Sequence, residues 1–375
     1  MRIIHGLTGS VASILADKIT EALYRMFGNT FVDVVASASA AAAFMDGKSI
    51  HADHFYQDCD EWTWKDANGV LTTRWKKGDP ILHIELRKKA SALVVAPCSA
   101  NKIGEFANAM APGGELLSSL ALAWDYCRPF IIAPAMNTRM WFHPGVQDNL
   151  ARLKKWGVIV VEPVNKMLAC NDEGMGAMAD IADIVRATKE ALRWHFPIGS
   201  HPGCPGIPVS HHPGAFGFHR KQSHHTGVDL YANDHSCVYA VEAGRVVDIE
   251  HFTGAWDNSP WWNETDCILV EGASGVVCYG EVTPMWQMTR GSVVKKGQCI
   301  AHVRRVLKDG KERPDIPGHK TSMLHVELYP HGTTQASKSW KLEPEGQGCR
   351  RPEDLMDPTP WLIDAEGAPE TRLSM

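Results

Sequence analysis

Residues 130–144 read FIIAPAMNTRMWFHP, and the run FIIAP at their start decides the fold of the amino-terminal half. An apolar run of this length that ends in a polar loop is typical of a strand buried on both faces. Similar runs lie at 2–8, 31–37, 92–97 and 157–163, and helical patterns fill the intervals at 11–27, 101–110, 115–125, 145–156 and 180–194. This alternation predicts an α/β domain with a doubly wound parallel sheet.

The composition changes after residue 195. Residues 196–213 are rich in Pro, Gly and His and have no periodicity, which predicts a linker. From 214 to 368 the chain carries short runs rich in Val, Ile and Tyr, separated by Gly, Asn and Asp; one example is CVYAVEAGRVVDIEH at 237–251. This pattern predicts a smaller, all-β domain. The expected domains are therefore 1–195 and 214–368.

The composition is that of an ordinary globular protein. The 375 residues are 44% hydrophobic and 22% charged, with a formal net charge of −5, so we expect no nucleic-acid partner. The apolar runs are too short to span a bilayer, and the first ten residues resemble a strand and turn rather than a secretion signal. The ten cysteines include no CxxC pair, which favours reduced thiols over a zinc ribbon. We therefore expect a cytoplasmic protein without a membrane partner.

Small and polar residues follow three of the predicted strands. They are Gly9, Ser10 and Val11 after the first strand, Ser37 and Ser39 after the second, and Ser99, Ala100 and Asn101 after the strand at 92–97. Because the carboxyl ends of parallel strands meet at one edge of a sheet, these residues predict a site for a phosphate-bearing cofactor. A tight strand–helix turn also favours small residues at 9–11, so the turn alone does not identify a ligand.

Five segments together resemble the flavin-dependent cysteine decarboxylases. They are GSVAS at 9–13, LHIELR at 82–87, APCSAN at 96–101, PAMNTRMW at 134–141 and ACND at 169–172. The resemblance covers roughly residues 1–195, with the motifs in the order of the family. It implies FMN as the cofactor, held by the strand-end residues above together with Lys102 and Ala135. It also implies a trimer-based homo-oligomer with the flavin site at a subunit boundary.

The resemblance assigns roles to His83 and Asn137. His83 would be the catalytic base, and an imidazole suits that role because its pKa lies near working pH; the alternative is a packed or capping histidine. Asn137 would bind the substrate carboxylate, since a neutral amide can hold this group without opposing its loss as a cation would. Met140 would shape the substrate pocket together with Trp141. Lys88 stands where relatives carry an arginine that binds the acidic substrate.

Cys170 lies in ACND, where the family usually reads ACGD, and it bears on the product. In the branch of the family that serves coenzyme A biosynthesis, a cysteine here donates a proton, and the product is a saturated thiol. A thiol with a pKa of about 8.5 is a credible acid for that step. The expected reaction is FMN-dependent decarboxylation of a cysteinyl carboxylate, with phosphopantothenoylcysteine as the leading substrate.

Two alternatives remain open at this point. One keeps the chemistry but takes a peptide's carboxy-terminal cysteine, or another small thiol acid, to an enethiol, with the β domain as the recognition module. The other is a non-catalytic flavoprotein that serves as a regulatory or binding subunit. The sequence departs from the family at Lys88, at Lys102, at Asn171 and at PGGELL in 112–117. We expect the chemistry to survive these changes, which bear instead on the identity of the substrate.

The second half contains a candidate metal site. HTGVD at 225–229 supplies His225 and Asp229, and SMLHVELYP at 322–330 supplies His325. Two imidazoles and a carboxylate form a good zinc set. Residues 214–365 resemble the lysostaphin-type zinc metallopeptidases, which implies these three ligands. Glu281 and Met323 stand where that family has two catalytic histidines, so we expect a zinc-retaining fold without conventional peptidase activity; the alternative is that the three side chains bind no metal.

Overall fold

The computed structural model describes residues 1–26, 30–44, 50, 52–62, 64–65, 71–72, 75, 77–167, 173–199, 204–220, 223–254, 262–311, 313, 315–316, 318–336, 340–341 and 354–374. The chain forms two compact units, Met1–Leu192 and Arg193–Met375. No helix among these residues is long and apolar enough to cross a membrane.

The first unit is built from alternating strands and helices. Its strands are β1 (Arg2–Leu7), β2 (Phe31–Ala36), β3 (His54–Gln57), β4 (Trp64–Lys65), β5 (Leu71–Thr72), β6 (Ala92–Cys98), β7 (Phe130–Pro134), β8 (Ile159–Val160), β9 (Val164–Met167) and β10 (Glu173–Ala177). Its α-helices are α1 (Ala16–Arg25), α2 (Ala38–Phe44), α3 (Leu82–Lys89), α4 (Ala100–Ala107), α5 (Leu116–Leu122), α6 (Thr138–Trp141), α7 (Pro144–Lys155) and α8 (Ile181–Leu192). Short 3-10 helices cover Val11–Leu15, Asp58–Trp62 and Pro112–Gly114.

Six strands form a parallel sheet in the order β3-β2-β1-β6-β7-β8. Successive side chains of each strand point to opposite faces of the sheet, and apolar side chains cover both faces. Val34 belongs to a core cluster with Ala16 of α1 and Ala40 of α2, whereas its neighbour Val35 belongs to a cluster with Leu86 of α3. The prediction of a doubly wound parallel sheet is therefore confirmed.

The strand order reverses between β1 and β6. In open parallel sheets, ligands bind at the carboxyl ends of the strands next to such a reversal, because the connecting loops diverge there and leave a crevice. The turn at Gly9 follows β1, and Ser99 follows β6, so both lie at this crevice. Strand β3, at the edge beyond β2, was not predicted from the sequence.

The second unit is built around an antiparallel sheet. Its strands are β11 (Ile207–Pro208), β12 (Ser223–His224), β13 (Val228–Tyr231), β14 (Cys237–Tyr239), β15 (Gly244–Thr253), β16 (Thr265–Glu271), β17 (Val276–Pro284), β18 (Val293–Val294), β19 (Cys299–Arg305), β20 (Ser322–Tyr329), β21 (Trp340–Lys341) and β22 (Arg372–Leu373). The main sheet has the order β13-β20-β19-β17-β16-β15-β18, and β14 pairs with β19. This sheet agrees with the all-β prediction, although the unit also contains helix α9 (Thr359–Asp364).

The segment for which the sequence predicts a linker takes part in the second unit. Phe196, Ile198 and Ile207 are at most 4% exposed and belong to its largest core cluster. Apolar side chains spaced among prolines and glycines thus pack against the sheet, which a compositional pattern does not reveal. Residues 200–203 lie outside the described part of the chain.

Candidate functional site

A cavity lies at the carboxyl edge of the parallel sheet, where its strand order reverses. Its volume is about 380 Å³, within the range of small-molecule sites. Its lining includes all ten residues that the sequence associates with a cofactor: Gly9, Ser10, Val11, Ser37, Ser39, Ser99, Ala100, Asn101, Lys102 and Ala135. An adjoining cavity of about 700 Å³ shares Ser10, Val11 and Ala135 with it. The structure therefore brings the predicted residues together.

The turn after β1 lies very close to the start of α2. A Cβ placed on Gly9 would be 2.4 Å from Ser39 Oγ, so only glycine fits there without displacing Ser39. Ser39 Oγ in turn lies 3.2 Å from Ser37 Oγ. Across the turn, the Ser10 hydroxyl donates to the carbonyl of Ala135 at 3.3 Å. This arrangement of hydroxyl groups around a side-chain-free turn fits a phosphate group, which needs several donors at close range.

Lys102 lines the cavity but its charge is already engaged. It is 3% exposed, and its Nζ donates to Glu105 at 2.6 Å, to Ser118 at 3.0 Å and to Glu115. Burial raises the pKa of Glu115, whereas in Glu105 hydrogen bonds from Lys102 and Ser118 outweigh burial and lower the pKa. Glu105 and Glu115 also line the cavity, and the sequence had not singled them out. Lys102 is therefore part of a buried ion-pair network rather than an unopposed cation.

Asn137 lies between β7 and α6, on the lining of the larger cavity. Its Oδ1 accepts a hydrogen bond from the Met140 backbone N–H at 2.9 Å, which caps α6 and fixes the carboxamide. The nitrogen of the carboxamide is the end that can donate to a carboxylate. Met140 is 44% exposed and lines the smaller cavity, but Trp141 is 7% exposed and packs in the core of the unit. Trp141 thus contributes to the core beside the cavity, and its part in shaping the substrate pocket stays a prediction.

His83 and Lys88 both lie on α3, and the described linings of the two cavities include neither of them. His83 Nδ1 lies 2.5 Å from Glu61 Oε1, and the His83 backbone N–H donates to Glu61 Oε2 at 3.2 Å. Glu61 is only 2% exposed; its contact with Nδ1 orients the imidazole, and the bond from the backbone N–H holds the carboxylate in place. Lys88 pairs with Glu85 at 2.8 Å on the helix surface. No sequence motif connects Glu61 with His83.

Cys170 lies in the segment 168–172, outside the described residues. The strands that flank this segment, β9 and β10, contribute Lys166, Gly176 and Ala177 to the lining of the larger cavity. A Cβ on Gly176 of β10 would lie 2.2 Å from the Met136 carbonyl oxygen, and one on Gly174 would lie 2.2 Å from Thr138 Oγ1. The Met136 N–H also donates to the Gly176 carbonyl at 3.0 Å. The β9–β10 hairpin thus lies against the loop that carries Asn137.

Comparison with known proteins identifies the family of the first unit. The model of the family described as Flavoprotein matches residues 1–193. The chain belongs to the Flavoprotein family. The resemblance predicted for residues 1–195 is therefore confirmed at the level of this family, and we call Met1–Leu192 the flavoprotein unit.

The curated relatives of the flavoprotein unit share a name. Phosphopantothenoylcysteine decarboxylase HAL3b of Glycine max is 39% identical over 186 residues, which are 49% of this chain and 79% of that protein. Phosphopantothenoylcysteine decarboxylase of Mus musculus is 34% identical over 195 residues, which are 52% of this chain and 88% of that protein. Among solved structures, a PPC decarboxylase mutant complexed with pantothenoylaminoethenethiol is 35% identical, with a TM-score of 0.45, covering 50% of this chain and 96% of that chain.

The second unit brings its three predicted metal ligands into one cluster. Asp229 of β13 is paired directly with His325 of β20, and His225 precedes β13. Asp229 Oδ1 lies 2.8 Å from His325 Nδ1 and 3.0 Å from His225 Nε2, and these two nitrogens are 3.2 Å apart. Donor atoms about 2.0–2.1 Å from a tetrahedral zinc ion lie roughly 3.3 Å from one another. The donor atoms therefore converge at nearly the spacing that a small cation requires.

In each imidazole, the ring nitrogen that faces away from the cluster also has a hydrogen-bond partner. His225 Nδ1 lies 2.9 Å from the Ala215 carbonyl, and His325 Nε2 lies 3.1 Å from Glu327 Oε1. Without a metal, burial lowers the pKa of His225 to about 4. Burial acts in the same direction on His325, but Asp229 and Glu327 outweigh it and raise that pKa to about 10. Such contacts fix which ring nitrogen faces the cluster, as they do around metal-binding histidines.

Glu281 and Met323 stand where the resemblance implies catalytic histidines, and the two side chains lie in different surroundings. Glu281 is 9% exposed and has a φ of +62°, and burial together with the charge of Asp229 raises its pKa to about 8. Met323 is 6% exposed and packs with Tyr231 and Val306. A thioether can neither donate a hydrogen bond nor carry a proton, so the position of Met323 contributes packing and no proton transfer.

Proposed function

We propose that the flavoprotein unit catalyses FMN-dependent decarboxylation of phosphopantothenoylcysteine to phosphopantetheine, a step of coenzyme A biosynthesis. The observation that carries this proposal is the cavity at the strand-order reversal, lined by the glycine turn and the strand-end serines. The names and coverage of the relatives from Glycine max and Mus musculus support the substrate. We place the phosphate of FMN against the hydroxyls of Ser37 and Ser39, where Gly9 leaves room.

FMN, held by these residues, would supply the acceptor and donor of two electrons that the reaction needs. The residues of the chain have separate tasks. His83, oriented by Glu61, takes up the proton of the substrate thiol. Asn137 holds the carboxylate until it leaves as carbon dioxide. Cys170 gives a proton to the carbon atom from which carbon dioxide has departed, and Lys88 attracts the acidic substrate.

His83 is absent from the described linings of both cavities, which supports assembly from several copies. We propose that the unit forms a homotrimer in which His83 of one copy completes the cavity of its neighbour. Met110 and Leu122 are 52% and 53% exposed and line one surface depression with Tyr126, which is 40% exposed. Large apolar side chains that cluster on a surface are typical of contacts between proteins. These side chains would be covered in the trimer.

The reaction is tested with the full-length protein, FMN and phosphopantothenoylcysteine, with product mass as the readout. We expect the product to differ from the substrate by the loss of carbon dioxide alone. A product that has lost two further hydrogen atoms would mean that Cys170 does not complete the reaction. Turnover of a Cys-terminated peptide, with phosphopantothenoylcysteine left unchanged, would mean that the enzyme decarboxylates the alternative substrate. Absence of turnover with both substrates would support a non-catalytic flavoprotein.

The shared site is tested by mixing two variants that each impair a different part of it. His83→Asn is expected to lower kcat by at least ~100-fold, since it removes the base. Asn137→Ala is expected to weaken substrate binding. When the two variants are unfolded and refolded together, mixed trimers contain some cavities with both residues intact, so part of the activity should return. If no activity returns although mixed trimers form, His83 acts within its own chain.

We propose further that His225, Asp229 and His325 bind zinc in a peptidase-like fold that lacks conventional peptidase activity. The convergence of three donor atoms and the contacts behind both imidazoles support this. Metal analysis of the purified protein tests it: Asp229→Asn should contain about one zinc ion per chain fewer than the wild type. His251→Ala, an exposed histidine, serves as the control and should keep it. Equal zinc content in wild type and Asp229→Asn would refute this site.

A further inference from the structure

A second group of soft donors lies elsewhere in the second unit. Cys237 of β14 and Cys299 and His302 of β19 each offer one donor atom, and these three atoms all lie within 4.8 Å of one another. Each of the three residues is partly exposed, so ions from solvent can reach the group. It shares no residue with the cluster of His225, Asp229 and His325, and neither of the resemblances of the chain assigns it a role.

An irregular strand pairing creates this group. Cys237 lies directly opposite His302, and Val238 lies opposite Ala301, but the next residue, Tyr239, is paired with Cys299. One residue of β19 is therefore extra, as in a β-bulge. Without it, strict alternation would point the side chain of Cys299 away from that of His302.

The extra residue also explains which side chains of β19 are buried. Ile300 and Ala301 are adjacent in sequence, yet both are fully buried. Cys299 and His302, on either side of them, are partly exposed. The bulge thus places two thiols and an imidazole on one face of the β14–β19 pair, beside the apolar core rather than within it.

We propose that Cys237, Cys299 and His302 form a binding site for a thiophilic metal ion of the zinc class. Two thiolates and one imidazole are a donor set that zinc prefers, and it differs from the nitrogen and oxygen donors of the other cluster. Binding replaces the two thiol protons with one divalent cation, so two protons are released to solvent.

A cavity borders this group. Its volume is about 230 Å³, and Cys237 is part of its lining together with Cys204, Asn233, Ser236 and Tyr239. Because Cys237 belongs to both, an ion held by the three side chains would lie beside this space, from which its remaining coordination position could be filled. A water molecule or a small ligand with a soft donor fits that position.

The protein contains a natural comparison for this site. Cys267 and Cys278 are also close enough for a hydrogen bond between their thiols, but both are fully buried. No histidine accompanies them in a cluster of the described residues. This pair lacks both the third donor and access from solvent, so we expect it to bind no metal.

Cobalt distinguishes the two metal sites, because thiolate ligands give Co²⁺ a charge-transfer band in the near ultraviolet and nitrogen or oxygen ligands do not. The full-length protein, reduced and freed of metal, is titrated with Co²⁺ and then with Zn²⁺. We expect a thiolate band that Zn²⁺ abolishes. Cys237→Ser and Cys299→Ser should lose this band, and His302→Ala should weaken Co²⁺ binding at least ~10-fold. Circular dichroism checks that each variant is folded.

Two control variants separate this site from the other proposals. Cys127→Ser, in the flavoprotein unit, should keep the thiolate band. Asp229→Asn should also keep it, even if the zinc site proposed above proves wrong. The proposal is overturned if the wild-type protein gives no thiolate band, or if folded Cys237→Ser and Cys299→Ser keep it. A disulfide between Cys237 and Cys299 in protein purified under reducing conditions would also overturn it.

Discussion

Replacement of Gly9 by alanine tests the cofactor cavity most directly. The new Cβ would lie 2.4 Å from Ser39 Oγ and 2.8 Å from Ser39 Cβ. Rotation of the hydroxyl relieves only the first contact, because the Cβ is fixed by the backbone of α2. Overpacking of this kind costs about 1–3 kcal/mol. If the strain falls on the hydroxyl groups that hold the phosphate, the Kd for FMN should rise roughly 5- to 150-fold.

The assay is titration of the FMN-free protein with FMN, followed by quenching of flavin fluorescence. Gly104→Ala is the matched control, since its Cβ would meet only Asn149 Nδ2, at an ordinary 3.7 Å, within α4. It should leave the Kd unchanged and stabilise the helix by about 0.5–1 kcal/mol. Adding Ser39→Gly to Gly9→Ala removes the obstructing side chain and should recover part of the affinity. Wild-type affinity in Gly9→Ala would refute the placement of FMN at this turn.

Three further predictions concern the flavoprotein unit. Glu61→Gln should lower kcat about 10-fold in a carbon dioxide release assay, because it replaces a charge-assisted hydrogen bond to His83 by a neutral one; an unchanged kcat would mean that Glu61 does not orient the imidazole. Burial lowers the pKa of His5 to about 4, so between pH 6.5 and pH 4 the unfolded state takes up a proton that the folded state refuses. Stability should fall by up to ~3 kcal/mol over that interval in denaturant titrations, and a flat profile would contradict this. Leu122→Glu should dissociate the proposed trimer in mass photometry, whereas intact trimers would exclude this surface from the interface.

The four central strands of the parallel sheet, β2, β1, β6 and β7, were predictable because each is a short apolar run followed by a small or polar residue, whereas β3 carries no such run. The strand-end residues identified the cavity for the same reason, since the carboxyl ends of parallel strands must meet. Glu61 was not predictable, because its contact with His83 joins residues 22 positions apart through tertiary packing. The bulge opposite Tyr239 was equally hidden, since no local pattern marks an extra residue in β19.

The junction at Leu192 has a practical consequence for dividing the protein. The second unit begins at Arg193, and Trp194 is 1% exposed, with its ring stacked on Trp361 at 5.4 Å. A fragment that ends at residue 213 would contain Trp194, Phe196 and Ile198 but not the core against which they pack. Such a fragment would tend to precipitate on expression, whereas truncation directly after Leu192 leaves none of these side chains behind.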